Sequence, residues 1–191
     1  MQTAGGFPVL IRAFRLALVV EGLRPHTVYN YTRNAERLAT YFQDRVPKSI
    51  SASDIRTYVA TLQERFAPKT VHEAQLALRR FFRYLVRDGE IRRDPTSDMK
   101  LMRYRVNPQP TYTEAEVRRL LAVCDQRTRE GVRDRALVTV LFDTGAREGE
   151  IVSMGLPDWE LRTVWVDGKT GKRQVYLGVV ALQSVERYTR R

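Results

Sequence analysis

A short segment in the second half of the chain has residue types suited to holding a phosphate group. Arg147 stands in the run Thr-Gly-Ala-Arg-Glu-Gly-Glu-Ile, with Glu150 one helical turn later. A guanidinium donates two parallel hydrogen bonds to phosphate oxygens, and a place near the start of a helix adds backbone N–H donors. Lys169 follows 22 residues after Arg147, in the glycine-rich run Asp-Gly-Lys-Thr-Gly-Lys. These residue types are chemically suited to holding an oxyanion.

Each of these residues also has an ordinary structural interpretation. Arg147 can pair with Glu150 on the surface of a helix, where such ion pairs are common and weak. Lys169 can be a simple turn lysine. The triplet Gly168-Lys169-Thr170 does not belong to a P-loop, because that motif needs a glycine five residues before Gly168 and Thr163 stands there. Residue types and spacing alone favour the surface ion pair for Arg147 and leave both interpretations of Lys169 open.

The elements around these residues predict a mixed α/β unit. Thr113 and Glu116 have the spacing of a capping box, which opens a helix. A strongly apolar helix follows, from 133 to about 142. The β-prone runs 163–166 and 174–177 flank the glycine-rich turn, a pattern typical of a hairpin.

The first half of the chain predicts a helical unit. The run Arg24-Pro25-His26-Thr27 restarts the chain before the second helix. Pro68 fits the first turn of the fourth helix, because proline has no N–H to leave unpaired there. Ser51 and Asp54 have the spacing of another capping box, before the third helix. Each helix carries apolar residues at the spacing of helical turns. Residues 99–110 lack this periodicity and contain two prolines, so they predict a linker.

The formal net charge of +11 is concentrated in the first half. Residues 1–105 carry 19 lysines and arginines against 10 acidic residues, whereas residues 106–191 carry 14 against 12. A basic half indicates a polyanionic partner, with nucleic acid as the leading one. The fourth helix has five polar residues opposite its apolar face, four of them cations, at Lys69, His72, Arg79, Arg83 and Arg87. A solvated face would show the same pattern, but the number of cations favours contact with phosphates.

Composition excludes several other classes of protein. No apolar run approaches the roughly 20 residues that cross a membrane. One cysteine, Cys124, excludes an intramolecular disulfide and a cysteine cluster for a metal. The N-terminal segment lacks the layout of a signal peptide, since Arg12 and Arg15 interrupt its apolar stretch. We therefore expect a cytoplasmic protein with no metal, no cofactor and no membrane partner.

The arginine-containing run and the later lysine together resemble the tyrosine recombinases, the phage integrase family. The run is similar to the family's Thr-Gly-x-Arg-x-x-Glu-Leu/Ile box, and Leu156 and Asp158 stand near the place of its Leu-x-x-x-Asp pattern, at tighter spacing. Lys169 sits in a predicted hairpin turn, as the family's catalytic lysine does. The helical unit is similar to the family's core-binding domain, with residues 69–85 as its DNA-facing helix. The resemblance extends over nearly the whole chain.

The resemblance implies a mechanism and a partner. Members of the family attack a DNA phosphodiester with a tyrosine and form a phosphotyrosine bond. In this chain Arg147 would hold the non-bridging oxygens, Glu150 would orient Arg147, and Lys169 would protonate the leaving 5′-oxygen without a metal. The partner is double-stranded DNA, on which complete enzymes self-associate in synaptic assemblies. The predicted DNA contacts are Thr27, Tyr31, Lys69, Thr70, His72, Arg79, Arg83, Arg103, Arg105, Lys172 and Arg173.

The rest of the family's active site has no match in the sequence. The family also has a His-x-x-Arg pair, but His26 and His72 both precede the arginine box and neither has an arginine three residues later. Tyr188 follows Lys169 by only 19 residues, which leaves no room for the helices that position a tyrosine nucleophile. We expect Tyr188 to pack or lie at the surface, and the chain alone to be unable to cleave DNA. An apolar surface should then be exposed beside Arg147.

Three functional hypotheses remain. A DNA strand-transferase that lacks its nucleophile is the leading one, and a non-catalytic DNA-binding protein that occupies recombination sites is the alternative. A helical interaction module that binds no DNA is the third. The expected fold is mainly α with a small β-hairpin: a four-helix SAM-like DNA-binding domain over 1–98, a linker over 99–110, and a partial α/β catalytic domain over 111–191.

Overall fold

The computed structural model describes residues 6–43, 45–106, 108–169 and 171–190. Internal contacts divide the chain into two compact units, Met1–Asn107 and Pro108–Arg191. The boundary between the two units falls inside residues 99–110, the segment without helical periodicity in the sequence. The limits given above for the two domains and the linker stay a prediction. Within the described ranges, no helix is both long and apolar enough to span a membrane.

The first unit is helical throughout its described elements. They are α1 (Phe7–Val20), α2 (Pro25–Phe42), a 3-10 turn (Pro47–Ser49), α3 (Ala52–Arg65) and α4 (Pro68–Arg87). Prolines open α2 and α4, as predicted for Pro68. The capping box before α3 is confirmed, because the Asp54 N–H donates to the Ser51 hydroxyl and the Ser51 N–H donates to the Asp54 carboxylate.

α4 contributes the aromatic centre of the first unit. Phe81 and Phe82 are fully buried, and the Phe81 ring lies 5.2 Å from that of Phe14 on α1, edge to face. The apolar side of α4 contacts α1, α2 and α3.

The second unit is mixed, as predicted. Its described elements are α5 (Glu114–Ala122), α6 (Arg129–Thr144), α7 (Glu148–Val152), β1 (Thr163–Gly168), β2 (Gly171–Tyr176) and α8 (Val179–Thr189). The capping box of Thr113 and Glu116 is confirmed at the start of α5. α6 begins four residues earlier than the predicted residue 133, because the Thr128 hydroxyl accepts a hydrogen bond from the Gly131 N–H and caps the helix there.

β1 and β2 form the predicted antiparallel hairpin, with Gly168 opposite Gly171 next to its turn. Val164, Val166 and Val175 on the inner face of the hairpin are buried in a core that also contains Ile151 of α7. The glycine-rich turn and the arginine box therefore belong to one packed unit.

Candidate phosphate site and nucleic-acid interface

Gly145 separates α6 from the arginine box. Its φ of 60° lies in the left-handed region, which glycine adopts without strain, and its N–H donates to the Leu141 carbonyl as α6 ends. Ala146 is then buried, and Arg147 is the extended residue that precedes α7. The turn thus presents Arg147 at the surface, with 69% of its side chain exposed.

Glu150 is the buried carboxylate of this site, with 3% of its side chain exposed. Its Oε2 accepts a hydrogen bond of 2.9 Å from the Arg147 backbone N–H, and its Oε1 accepts one of 3.0 Å from Arg147 Nη1. A second guanidinium reaches the same group, since Arg173 Nη2 on β2 donates to Oε2 at 2.7 Å. One carboxylate therefore holds two arginines that are far apart in the sequence.

These contacts keep Glu150 ionised. The backbone N–H of Arg147, followed by the guanidinium of Arg173, lowers the pKa of the Glu150 carboxyl from 4.5 to about 2, against the opposing effect of burial. At neutral pH the cluster is a carboxylate between two guanidinium groups. A guanidinium has five N–H donors, so Arg147 can bind an oxyanion while Glu150 restricts its position.

The hairpin turn lies directly against this cluster. A β-carbon on Gly168 would lie 2.1 Å from Oε1 of Glu150, so the backbone one residue before Lys169 touches the carboxylate. Lys169 itself is exposed. This proximity supports a common site for Arg147 and Lys169, and their convergence on a single phosphate stays a prediction.

The contact between Arg173 and Glu150 was missed by sequence reasoning. We predicted Arg173 and Lys172 as DNA contacts, and that role stays a prediction for both. In the hairpin register Arg173 lies opposite Val166, on the face of the buried Val175. The sequence held a signal for this contact, because residues two apart in a strand share a face, and Arg173 is two residues before the apolar Val175. Lys172 lies on the other face and is exposed.

An apolar groove of about 590 Å³ lies beside α7, between α6 and α8. Val152 and Leu156, which line it, are 79% and 71% exposed. The groove follows the helix that begins directly after Arg147, where we expected an exposed apolar surface. Tyr188 also lines the groove and is half-buried, as suits a packing residue.

The predicted DNA-binding residues of α4 differ in their surroundings. Lys69, Thr70 and Arg83 are exposed. In contrast, His72 Nδ1 lies 2.7 Å from the Met102 carbonyl oxygen, and Arg79 donates a hydrogen bond to the Met99 carbonyl. Lys69 and Arg83 are therefore exposed cations of this helix, whereas His72 and Arg79 contact the segment that follows α4.

Glu21, next to the C-terminal end of α1, neutralises part of the basic surface of α4. Its carboxylate pairs with Arg80 and with Arg87. The hydrogen bond from Arg87 is the main cause that lowers the Glu21 pKa, so the carboxylate is ionised at neutral pH. Glu21 also lines a small cavity, of about 100 Å³, together with Arg83. Part of the positive charge counted in the sequence is thus already offset within the unit.

The other predicted contacts lie on α2 and after α4. Thr27 and Tyr31 are half-buried, and Tyr31 packs against the core of the first unit. Arg103 and Arg105 are exposed in the segment that follows α4. Contact of these residues with DNA stays a prediction.

Across the described residues, no group of three or more His, Cys, Asp or Glu side chains is placed to hold a metal ion.

Both units match one family in comparisons with known proteins. Residues 10–89 match the phage integrase N-terminal SAM-like domain, and residues 110–191 match the phage integrase family. The tyrosine recombinase XerD of Listeria monocytogenes is 30% identical over 188 residues, which cover 94% of this chain and 63% of that protein. XerC of Pelobacter propionicus is 30% identical over 190 residues, covering 93% of this chain and 62% of that protein. The chain thus spans less than two thirds of the length of these relatives.

Solved structures with the same fold are integrases. A lambda integrase tetramer bound to a Holliday junction has a TM-score of 0.74 at 17% identity, over 95% of this chain and 55% of that one. The Tn1549 transposon integrase, in complex with a circular intermediate DNA, has a TM-score of 0.67 at 18% identity, over 95% and 65%. Similarity at this identity establishes the fold alone, which is mainly helical with a small antiparallel hairpin, and the family match over residues 10–89 identifies the first unit as SAM-like. With the two family matches along its length, this chain belongs to the tyrosine recombinase (phage integrase) family.

Proposed function

We propose that this chain binds double-stranded DNA through its first unit and holds one phosphodiester of that DNA at the Arg147 cluster of its second unit. The function is site-specific recombination or integration by tyrosine-mediated strand transfer, for which this chain supplies the phosphate-holding part of the active site. The observation that carries the proposal is the position of Glu150, which binds Arg147 and Arg173 and touches the turn of Lys169. The recombinase names of the relatives support it.

The charges of the cluster suit the strand-transfer step. As a tyrosine oxygen attacks the phosphorus, the bond to the 5′-oxygen breaks and negative charge grows on the non-bridging oxygens. Arg147 donates hydrogen bonds to those oxygens, and Glu150 holds its guanidinium so that less ordering is needed when the phosphate arrives. Lys169 transfers a proton to the leaving 5′-oxygen. In this proposal the tyrosine comes from residues other than these 191.

The first unit supplies most of the affinity for DNA. Lys69, Arg83, Arg103 and Arg105 are exposed cations that can lie against phosphates. Each phosphate that a cation neutralises releases counterions, so the logarithm of the affinity falls linearly with the logarithm of the salt concentration, with a slope of about −0.9 per phosphate. The proposed interface therefore predicts a steep dependence on salt.

Duplex binding by the 191-residue chain, measured by fluorescence anisotropy at several salt concentrations, tests the DNA partner. Arg83→Gln should flatten the log–log slope by about 1, because it removes one phosphate contact. Arg56→Gln removes the same charge from an exposed site on α3 that is not among the proposed contacts, and it should leave the slope unchanged. No binding at low salt would refute the proposal and favour an interaction module without DNA.

Formation of a covalent DNA adduct separates the strand-transferase from the non-catalytic alternative. The chain is tested alone, and joined to the part of a full-length relative that carries its His-x-x-Arg pair and tyrosine. We expect an adduct on a denaturing gel from the joined protein only, abolished by Arg147→Ala but not by Glu148→Gln, which changes an exposed neighbour. An adduct from the chain alone would make Tyr188 the first residue to test. DNA binding without any adduct would favour the non-catalytic alternative.

A further inference from the structure

The basic segment after α4 is attached to that helix by side chains. His72, Gln75 and Arg79 follow each other at spacings of three and four residues, so they lie on one face of α4. Gln75 is 2% exposed, and its amide donates to the Lys100 carbonyl at 3.1 Å and accepts from the Met102 N–H at 2.6 Å. One N–H donor and the carbonyl oxygen of this buried amide thus both bond to one stretch of chain.

This pairing resembles that of a neighbouring strand. In an extended chain the C=O of one residue and the N–H two residues later point to the same side, as those of Lys100 and Met102 do towards Gln75. His72 contacts the Met102 carbonyl, and its ring lies 5.1 Å from that of Tyr104, edge to face. Met102 packs against the core of the first unit. These contacts therefore hold residues 100–104 in one defined alignment along α4, which we call the register of the segment.

The register decides which side chains of the segment face solvent. Met102 packs against the core of the first unit and the Tyr104 ring packs against His72, whereas Arg103 and Arg105 are exposed. A shift of segment 100–104 by one residue along α4 would exchange the positions of these two pairs of side chains. Between α4 and the segment lies a groove of about 770 Å³, lined by His72, Arg79, Lys100, Leu101, Met102, Arg103 and Tyr104.

We propose that Gln75 is a positioning residue for DNA binding, which fixes the register of segment 100–104 so that Arg103 and Arg105 bind two successive phosphates of one DNA strand. Alternate residues of an extended chain are about 6.8 Å apart, which is comparable to the separation of neighbouring phosphates. Gln75 touches no DNA itself and acts through the two arginines. His72 and Arg79 support the same register. This inference rests on the proposed binding of duplex DNA.

The test measures the salt dependence of duplex binding by the 191-residue chain. Gln75→Leu removes both hydrogen bonds and keeps a side chain of similar size. We expect the log–log slope to become shallower by about 1 to 2, because as many as two phosphate contacts lose their order. Hydrogen exchange at the Met102 amide should become faster. Gln63→Leu, at an exposed site on α3, is the matched control and should change neither quantity.

A double-mutant cycle separates positioning from a general effect on the fold. In the Arg103→Gln, Arg105→Gln background, Gln75→Leu should cause no further loss of affinity, because its effect passes through these two arginines. An equal loss in both backgrounds would overturn the proposal, and so would unchanged DNA binding by Gln75→Leu. If that variant does not fold, an alanine inserted after Met102 leaves α4 unchanged and shifts Arg103 and Arg105 by one residue relative to the helix. This insertion should make the log–log salt slope shallower by the same amount. An unchanged slope would again overturn the proposal. Failure of the wild-type chain to bind duplex DNA would instead refute the proposed function.

Discussion

Gly168 lies so close to Glu150 that a β-carbon at residue 168 would be 2.1 Å from Oε1 of the carboxylate. The carboxylate cannot move away freely, because it accepts hydrogen bonds from the Arg147 backbone, the Arg147 guanidinium and the Arg173 guanidinium. Gly168 is not among the glycines with positive φ. Packing against the arginine box, rather than the conformation of the turn, therefore requires glycine before Lys169.

Gly168→Ala should destabilise the second unit. The added methyl group must displace Glu150 or the hairpin, and overpacking of this kind costs about 1 to 3 kcal/mol. Denaturant unfolding followed by tryptophan fluorescence reports on this unit, because Trp159 and Trp165 are the two tryptophans of the chain. Gly149→Ala is the control, since a β-carbon there meets no atom within 4 Å. Equal stability of the two variants would contradict the close contact.

The stability of the second unit should fall in acid partly through Glu150. Its pKa is lowered from 4.5 to about 2 in the folded chain, so its contribution is present above about pH 4.5 and is lost as the pH falls towards 2. Glu150→Gln lacks this contribution. The difference in unfolding free energy between wild type and Glu150→Gln should therefore be larger at pH 6 than at pH 3. Glu148→Gln, on the exposed side of the same helix, should show a difference that varies much less with pH.

Arg173→Met should raise the pKa of Glu150 from about 2 towards 4.5, because the guanidinium of Arg173 is the second largest cause of the shift. Carbon-13 NMR of labelled glutamate carboxyl groups can follow this titration. Lys172→Met is the matched control, since it removes one positive charge from the exposed face of the same strand. A shift of equal size in both variants would mean that net charge, rather than the hydrogen bond from Arg173, sets the pKa.

Glu21→Gln should strengthen the binding of duplex DNA. The substitution releases Arg80 and Arg87 from their ion pairs and removes a negative charge beside Arg83. The log–log salt slope should become steeper, because more cations are available to phosphates. Glu64→Gln changes the net charge equally at an exposed site on α3. If Glu64→Gln strengthens binding as much, α4 does not have the special role that we propose.

Local interactions could be predicted from the sequence because their partners lie within one helical turn. The capping boxes of Ser51 and Thr113 and the pair of Arg147 with Glu150 are of this kind. The hairpin was also predictable, since its strands alternate and its turn is rich in glycine. The arginine box and the glycine-rich turn could therefore be singled out before the contact of Gly168 with Glu150 was known.

Only the tertiary structure decided which distant partners these residues meet. The contact of Arg173 with Glu150, and that of Gly168 with the same carboxylate, depend on how the hairpin packs on α7. Likewise, Arg79 appears in the sequence as one more cation of a basic face, but in the structure it holds a backbone carbonyl of the segment after α4. A count of charges indicates a polyanionic partner, whereas only packing decides which charges are already paired.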